Sequence, residues 1–506
     1  MAVKTAGDAP AFTPEQLQSV RGALMSPRRL KTEVLGGLVV ALALIPEAIA
    51  FSIIAGVDPR IGLFASFTMS VTIAFVGGRP AMISAATGAV ALVTAPLVKS
   101  HGLDYLVAAV ILAGIFQIVL GLSGVAKLMR FIPRSVMVGF VNALAILIFM
   151  SQVPELMGVP WLVYPLTVLG LLIVFGLPRL TKAVPAPLVA IVALTLITVT
   201  AALVVPTVGD KGALPDSLPS LSLPNVPNTF ETLQVIFPFA LAMAFVGLLE
   251  SLMTAKLVDD ITDTRSAKTR EAWGQGVANI VTGCFGGMGG CAMIGQTMIN
   301  VKASGARTRI STFLAGVFLL ILVVALGDIV SLIPMAALVA VMIFVSVATF
   351  DWHSIRPATL KALPKSETAV MAATVVVTVA THNLAVGVGV GVLVAMVLFA
   401  RRVAHFVTVE RSVTEDDGGR ATYRVDGELF FASSNDLYTQ FEYALDPERV
   451  VIDMRDSHLW DASTIAALDA ITEKYRQHGK SVDVVGLNQA SALMRERLAG
   501  KLGAGH

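Results

Sequence analysis

The sequence predicts a polytopic α-helical membrane protein with fourteen spans, followed by a small soluble α/β domain. Of its 506 residues, 55% are hydrophobic and only 14% are charged, whereas a soluble chain carries about 25% charged residues. The charges are also unevenly placed: the 96 residues from Arg411 onwards hold 27 of them, and the first 410 residues hold 45. We therefore expect a cytoplasmic segment over 1–30, a transmembrane domain over 31–405 and a cytoplasmic soluble domain over 406–506.

Composition excludes several classes of function. The 37 lysines and arginines barely outnumber the 35 aspartates and glutamates, so the chain lacks the basic surplus that nucleic-acid binding needs. The two cysteines and seven histidines have neither disulfide nor zinc spacing, and no nucleophile–base motif or phosphate loop is visible. We expect no enzyme activity, no metal centre, no cofactor and no nucleic-acid partner; the lipid bilayer is the expected surrounding.

Fourteen apolar runs fit between residues 30 and 405, given that a spanning helix needs roughly 20 apolar residues. They fall near 35–55, 61–76, 84–98, 105–122, 135–153, 161–177, 187–206, 235–256, 273–285, 293–302, 310–327, 330–349, 366–381 and 384–403. Lysine and arginine accumulate in cytoplasmic loops; with both ends cytoplasmic, the inside loops hold 18 of them and the outside loops hold 3. The pattern predicts a multi-pass protein of the inner (plasma) membrane with both termini in the cytoplasm.

The longest predicted outside loop, 209–228, separates seven spans from seven. A repeat with an odd number of spans must insert in opposite orientations, which predicts a 7+7 inverted repeat. The third and tenth spans support it, because both are short, follow a Gly-Gly pair and have an Ala-Met-Ile triplet at their start, at 81–83 and 292–294. Matched short segments in the two halves are typical of a transporter's binding site.

Two glutamates lie inside apolar spans, Glu47 in the first and Glu250 in the eighth. A charged carboxylate at mid-bilayer costs at least ~2.5–3.5 kcal/mol, so we expect each side chain to be neutral or close to a cation. Glu250, with Ser251 and Thr254 beside it, suits a coupling site for a proton or a bound sodium ion. The alternative is a structural acid that hydrogen-bonds to a neighbouring helix.

The starts of spans three and ten carry the central hypothesis. Their residues are Thr87, Gly88 and Ala89 in one span and Gly295, Gln296 and Thr297 in the other. Half-helices that begin inside the membrane direct unpaired N–H groups and positive dipole ends at one place, which makes an anion site without a fixed cation. The alternative is that these small residues only allow close helix packing.

The tail alternates strands with helices, which predicts a small α/β domain. Predicted strands cover 422–432, 450–455 and 482–487, and predicted helices cover 435–445, 461–477 and 489–500. Ser463 stands in the first turn of the second helix, where its hydroxyl is able to cap unpaired N–H groups.

Three stretches, Leu35–Phe67, 247–256 and 286–312, resemble the SulP sulfate-permease family, and the tail resembles a STAS domain. The resemblance implies a core domain of spans 1–4 and 8–11 that moves against a gate domain of spans 5–7 and 12–14, in an elevator-type cycle within a homodimer. Ser463 matches the position of the phosphorylated serine in STAS-domain antagonists of anti-sigma factors, so it is either a helix cap or a regulatory phosphorylation site.

By position, the resemblance also implies which residues bind the anion and which one couples transport. The anion-binding positions are Glu47, Phe51, Thr87, Gly88, Ile294, Gly295, Gln296 and Thr297. Glu250 and Thr254 match the positions linked to cation or proton coupling. Many family members have an aromatic at 88 and Ser-Arg at 295–296, so we expect a roomier site without an arginine, which favours a monoanion such as bicarbonate over sulfate.

The expected function is secondary active transport of a small inorganic anion, bicarbonate or sulfate, coupled to protons or sodium. The alternatives are an uncoupled anion channel or exchanger, a dicarboxylate or nucleobase permease of the same fold, and a membrane receptor that signals through the tail.

Overall fold

The computed structural model describes residues 18–124, 132–180, 185–404, 407–414, 419–434 and 437–499. The chain divides into two compact units, Met1–Val392 and Leu393–His506, which meet inside the last membrane helix. Most of the predicted N-terminal segment, the polar stretch 415–418 and the predicted boundary at 405/406 lie outside the described residues. The predicted domain boundaries therefore stay predictions.

Fourteen helices in the described residues match the fourteen predicted spans one by one. Helices α1 to α7 are Pro27–Ala55, Pro59–Val76, Gly88–His101, Leu103–Leu122, Arg134–Gln152, Val163–Leu180 and Ala186–Thr200. Helices α8 to α14 are Phe230–Thr262, Lys268–Cys284, Ile294–Met298, Arg309–Ala325, Met335–Thr349, Lys365–Thr381 and Leu384–Ala404. Among the described residues, seven helices (α1, α2, α4, α5, α6, α8 and α14) are long and apolar enough to cross a membrane unaided.

The helices pack as two groups, which confirms the predicted division. Helices α1–α4 pack with α8–α11, and α5–α7 pack with α12 and α13. Gly387 and Gly391 let α14 approach Thr374 of α13 closely. We call α1–α4 with α8–α11 the core, and α5–α7 with α12–α14 the gate.

Local sequence sets the helix ends around the centre of the core. Helix α1 ends at Gly56, which adopts the left-handed conformation with φ of 78°, and α2 begins with Pro59 at its first position. Two-residue strands precede the half-helices α3 and α10: β1 is Ser84–Ala85 and β2 is Cys291–Ala292. Helix α10 continues as a π-helical turn over Ile299–Ala303.

The tail forms a four-stranded sheet in the order β3-β4-β5-β6, and two helices follow its strands along the chain. The strands are Thr408–Thr414, Arg420–Leu429, Arg449–Leu459 and Ser481–Val485, and the helices are α15, Ala462–Gln477, and α16, Gln489–Leu498. Strand β3 is antiparallel to β4, while β4–β5 and β5–β6 are parallel. The α/β prediction is therefore confirmed.

Three details of the tail differ from the predictions. Strand β3 was not predicted, because it is a mostly exposed edge strand with few apolar residues. The helix predicted over 435–445 is wrong, since the described part of it holds only a 3₁₀ turn, Leu437–Gln440. Ser463 is exposed and does not cap α15; Asp461 is the cap, and its Oδ1 accepts from the N–H of Thr464 at 3.1 Å.

A buried carboxylate organises the interior of the tail. Asp446 accepts hydrogen bonds from the hydroxyl groups of Tyr423 and Tyr475 at 2.7 and 2.5 Å, and from Nη2 of Arg411 at 2.7 Å. Burial, and then the hydrogen bond to Asp446, raise the pKa of Tyr475 above its ordinary value. The phenol therefore stays protonated at neutral pH and keeps donating to the carboxylate.

Candidate anion-binding site

Two short strands bring the predicted half-helix starts together inside the core. Strand β1 pairs antiparallel with β2, so that Ser84 lies opposite Ala292 and Ala85 lies opposite Cys291. The N–H of Met293 extends the pairing by donating to the carbonyl of Ile83 at 2.8 Å. Because α3 and α10 each begin within three residues of their strand, their first turns lie close to the same point.

A chain of three side chains connects the start of α3 with α8. Thr87 is the N-cap of α3, and its Oγ1 accepts from the N–H of Val90 at 3.4 Å. The same oxygen lies 3.1 Å from Sγ of Cys291, whose thiol donates to Oε2 of Glu250 at 3.0 Å. All three side chains are buried, so the predicted coupling residue contacts β2 and reaches the predicted anion site through it.

On the other side of the site, the start of α10 contacts α1. The side chain of Gln296 lies beside the carboxyl group of Glu47, which is half-buried. Gln296 itself is 2% exposed, and its Oε1 has no hydrogen-bond partner. A buried acceptor without a donor costs about 1–3 kcal/mol, and this oxygen is free to accept a hydrogen bond.

The expected extra room at Gly88 is not there. A Cβ added to Gly88 would lie 2.9 Å from Cε1 of Phe51 and 3.2 Å from Cδ1 of Ile148 in the gate, so the aromatic ring of Phe51 already fills this space. The open position is Gly295, where an added Cβ would meet nothing within 4 Å. The extra room in the site therefore lies at position 295, and there is none at position 88.

The remaining predicted residues have supporting positions. Thr254 donates to the backbone carbonyl of Glu250 at 2.7 Å and does not hydrogen-bond its carboxyl group. Thr297 is fully buried, and its Oγ1 accepts from the N–H of Ile83 at 3.0 Å. Ala89 is fully buried and Ile294 is half-buried at the start of α10.

One face of α9 carries buried polar residues that were not predicted. Glu271, Gln275, Asn279 and Thr282 are buried and recur at helical spacing. Asn279 accepts from the N–H of Gly290 at 2.9 Å and donates to its carbonyl at 3.0 Å. Polar residues every three to four positions within a span were the signal that could have identified this face.

The charge of the site comes from backbone dipoles and carboxyl groups. The described residues that hydrogen-bond the predicted site residues include no lysine or arginine. No group of three or more metal-ligating side chains occurs in the described parts of the chain. Hard cations prefer oxygen ligands, and the side chain that hydrogen-bonds the carboxyl group of Glu250 is a thiol.

A cleft of about 300 Å³ lies between the core and the gate. Ala50 and Ile53 of α1 line one side, and Gln152 of α5 and Met335 of α12 line the other. None of the predicted anion-binding or coupling residues is among the residues that line this cleft.

Comparisons with known proteins show which family the chain is similar to. The family model described as the sulfate permease family matches residues 30–163 and 160–374, and the STAS domain model matches 411–498. The putative sulfate transporter YbaR of Bacillus subtilis (strain 168) is 54% identical over 470 residues, which cover 93% of this chain and 97% of that protein. The bicarbonate transporter BicA of Synechocystis sp. is 26% identical over 524 residues, which cover 93% of this chain and 91% of that protein.

Solved structures share the fold. The transmembrane domain of a cyanobacterial bicarbonate transporter BicA has a TM-score of 0.62 at 25% identity, covering 73% of this chain and 98% of that chain. Murine Solute Carrier 26 family member A9, an anion transporter in the inward-facing state, has a TM-score of 0.79 at 16% identity, covering 98% and 92%. The relatives are named as transporters, in agreement with the expectation that this chain is not an enzyme. The protein belongs to the sulfate permease family of membrane anion transporters and carries a C-terminal STAS domain.

Proposed function

We propose that this protein is a proton-coupled transporter of a small inorganic monoanion, and that bicarbonate fits its site better than sulfate. It acts in the inner membrane with both termini in the cytoplasm, as a homodimer in which the core moves against the gate. The anion binds between the first turns of α3 and α10, and Glu250 carries the coupled proton.

The buried Oε1 of Gln296 carries the choice of anion. This oxygen accepts hydrogen bonds only, and it has no donor within the described chain. Bicarbonate has a hydroxyl group that can donate to it, whereas sulfate at neutral pH has oxygens that only accept. A site with an unpaired acceptor discriminates against a ligand that lacks the matching donor, so the hydroxyl of bicarbonate is the better partner.

The charge of the site supports the same choice. Each helix N-terminus contributes roughly half a positive charge, so two of them offset about one negative charge. Gln296 stands where related transporters carry an arginine, and Glu47 lies beside it. A dianion would therefore be poorly neutralised here, and a monoanion would be neutralised well.

Sulfate is the second candidate, because the relative YbaR, 54% identical, is named a putative sulfate transporter. Purified protein in liposomes distinguishes the two, using labelled bicarbonate or sulfate with an imposed proton or sodium gradient. We expect bicarbonate uptake that an inward proton gradient drives and a sodium gradient does not, above the carbon dioxide leak of empty liposomes. Preference for sulfate, or uptake driven by sodium, would contradict the proposal.

The coupling role of Glu250 has its own test. In E250Q the side chain no longer takes up and releases a proton, so we expect gradient-driven uptake to be abolished while exchange of labelled for unlabelled anion continues. Glu231→Gln, an exposed position in the first turn of the same helix, is the matched control and should behave like the wild type. Undiminished gradient-driven uptake in E250Q would show that another group carries the proton.

A further inference from the structure

The thiol of Cys291 lies between Thr87, a predicted anion-binding residue, and Glu250, the predicted coupling residue. Its Sγ is 3.1 Å from Oγ1 of Thr87 and 3.0 Å from Oε2 of Glu250. Cys291 is 0% exposed, Thr87 is 2% exposed and Glu250 is 7% exposed, so bulk water does not replace these contacts. We propose that Cys291 is a positioning residue that frees the Thr87 hydroxyl for the anion only when Glu250 is protonated. This inference rests on the proposed proton coupling.

The protonation state of Glu250 sets the direction of each hydrogen bond between Glu250, Cys291 and Thr87. A thiol has one hydrogen to donate, and an ionised carboxylate only accepts. When Glu250 is ionised, the Cys291 thiol therefore donates to Glu250, as the structure has it. Its contact with Thr87 is then a hydrogen bond only if the Thr87 hydroxyl donates to Sγ. In that state the Thr87 hydroxyl is occupied and unavailable to an anion.

Protonation of Glu250 reverses the direction of the two hydrogen bonds that join Glu250, Cys291 and Thr87. The carboxylic acid now has a hydrogen and donates it to Sγ. The thiol hydrogen is released and turns towards Oγ1 of Thr87, which accepts it. The hydroxyl hydrogen of Thr87 is then free to donate to an oxygen of the anion at the start of α3. No covalent bond forms or breaks apart from the O–H bond that the proton makes on Glu250.

The surroundings leave Glu250 as the group that sets this direction. Helix α8 packs against α3, α4, α9, β2 and α10, and Cys291 is the titratable group among them that hydrogen-bonds Glu250. The other charged groups of these elements lie in their terminal turns: Lys99 and His101 of α3, Asp104 of α4, Lys268, Arg270 and Glu271 of α9, and Lys302 after α10. None of these is in hydrogen-bonding contact with Glu250 in the described structure.

A purely structural role and a relay role for Cys291 predict different results. If Cys291 only fills space between β2 and α8, alanine and serine substitutions change the amount of active protein or the maximal rate at all pH values alike. If it relays, C291A removes the pH dependence of the KM for the anion. C291S keeps that dependence, because a hydroxyl also donates once and accepts.

The experiment measures the KM for bicarbonate in proteoliposomes from mildly acidic to mildly alkaline pH. We expect the wild-type KM to rise at least about fivefold across this range, the lower end of typical coupling between two sites. C291S and the control C284A, which changes the other, half-buried cysteine, should retain this rise. C291A should show a KM that no longer depends on pH. A pH-dependent KM in C291A would overturn the relay while leaving proton coupling in place.

A second variant keeps the test decisive if C291A does not fold. Thr87→Val removes the hydroxyl at the other end of the chain, and it should also have a KM that is independent of pH. Retention of the wild-type pH dependence in T87V would overturn the relay as well. A wild-type protein whose KM and uptake ignore pH would overturn the proposed proton coupling itself, and the relay with it.

Discussion

Gly88, the first residue of α3, lies where the core meets the gate and has no room for a side chain. Its Cα is close to Phe51 of the core and Ile148 of the gate. Any residue other than glycine must displace one of them. The contact therefore fixes how closely the two groups of helices approach beside the anion position.

We expect Gly88→Ala to destabilise the protein by about 1–3 kcal/mol, the usual effect of overpacking, and to slow transport. The added Cβ would lie 2.9 Å from the ring of Phe51. Thermal unfolding in detergent and initial uptake rates in liposomes measure the two effects. The control is Gly389→Ala in α14, where an added Cβ meets nothing within 4 Å and both quantities should stay at their wild-type values. Unchanged stability in G88A would mean that Ile148 yields freely.

Individual residues differed in how far the sequence could reveal them. Glu47 and Glu250 were predictable, because a charge within an apolar span is unusual. Cys291 was not, because a buried cysteine has the pattern of any small hydrophobic residue. Its partners Thr87 and Glu250 are 204 and 41 positions away along the chain, and a single sequence does not show such contacts.

At the scale of elements, α9 holds β2 in place through one side chain. Asn279 pairs with both backbone groups of Gly290, directly before β2, and its Nδ2 also donates to Oε1 of Gln117 in α4 at 2.9 Å. The next residue is Cys291. The position of the thiol, and with it the contact to Glu250, therefore depends on α9.

We expect Asn279→Ala to lower transport at least about tenfold, because it leaves both polar groups of Gly290 unpaired, at about 1–3 kcal/mol for each. Uptake assays on equal amounts of correctly folded, monodisperse protein measure the loss. Asn225→Ala, an exposed asparagine in the loop between α7 and α8, is the control and should transport normally. Near-normal uptake in N279A would show that the β1–β2 pairing and the hydrogen bond from Ala292 to Ser251 are enough to position Cys291.

The elements themselves were largely predictable in the membrane unit and less so in the tail. Each span was predictable from an apolar run of residues, because the bilayer requires one. The incorrect helix prediction over 435–445 has a physical reason. This segment leads to Asp446, which accepts hydrogen bonds from Tyr423 and Tyr475. Both tyrosines lie far from Asp446 in sequence, so the sequence does not show these contacts. Strand β3 was not predicted, because an exposed edge strand needs few apolar residues.

At the scale of the whole membrane unit, the loop between α7 and α8 ties the gate to the core. On the gate side, the N–H of Met335 donates to the carbonyl of Pro206 at 2.9 Å, and Lys211 forms an ion pair with Glu155 at 2.7 Å. On the core side, the carbonyl of Ala213 accepts from the N–H of Arg60 at 3.1 Å. Only Gly212 separates Lys211 from Ala213, so we expect the proposed movement of the core against the gate to strain these contacts.

We expect Lys211→Ala to raise the maximal transport rate by up to about fivefold, because a partly exposed ion pair contributes about 0.2–1 kcal/mol. The gain appears if release of this anchor limits the cycle. Arg60→Ala is the control, since the Arg60–Asp58 pair, 3.6 Å apart, lies within the core alone and the backbone contact of residue 60 survives. An unchanged or lower rate in K211A would mean that the loop moves without restraint.

The pairing of β1 with β2 has a consequence for biosynthesis. The chain is made from its N-terminus, so β1 reaches the membrane while its partner, about 200 residues further on, has not yet been synthesised. Backbone groups without partners are very unfavourable in hydrocarbon. We therefore expect helix α3 to reach its final depth only after the second half of the chain has been synthesised. The four residues of β1 and β2 form their hydrogen bonds only after both halves of the protein have been synthesised.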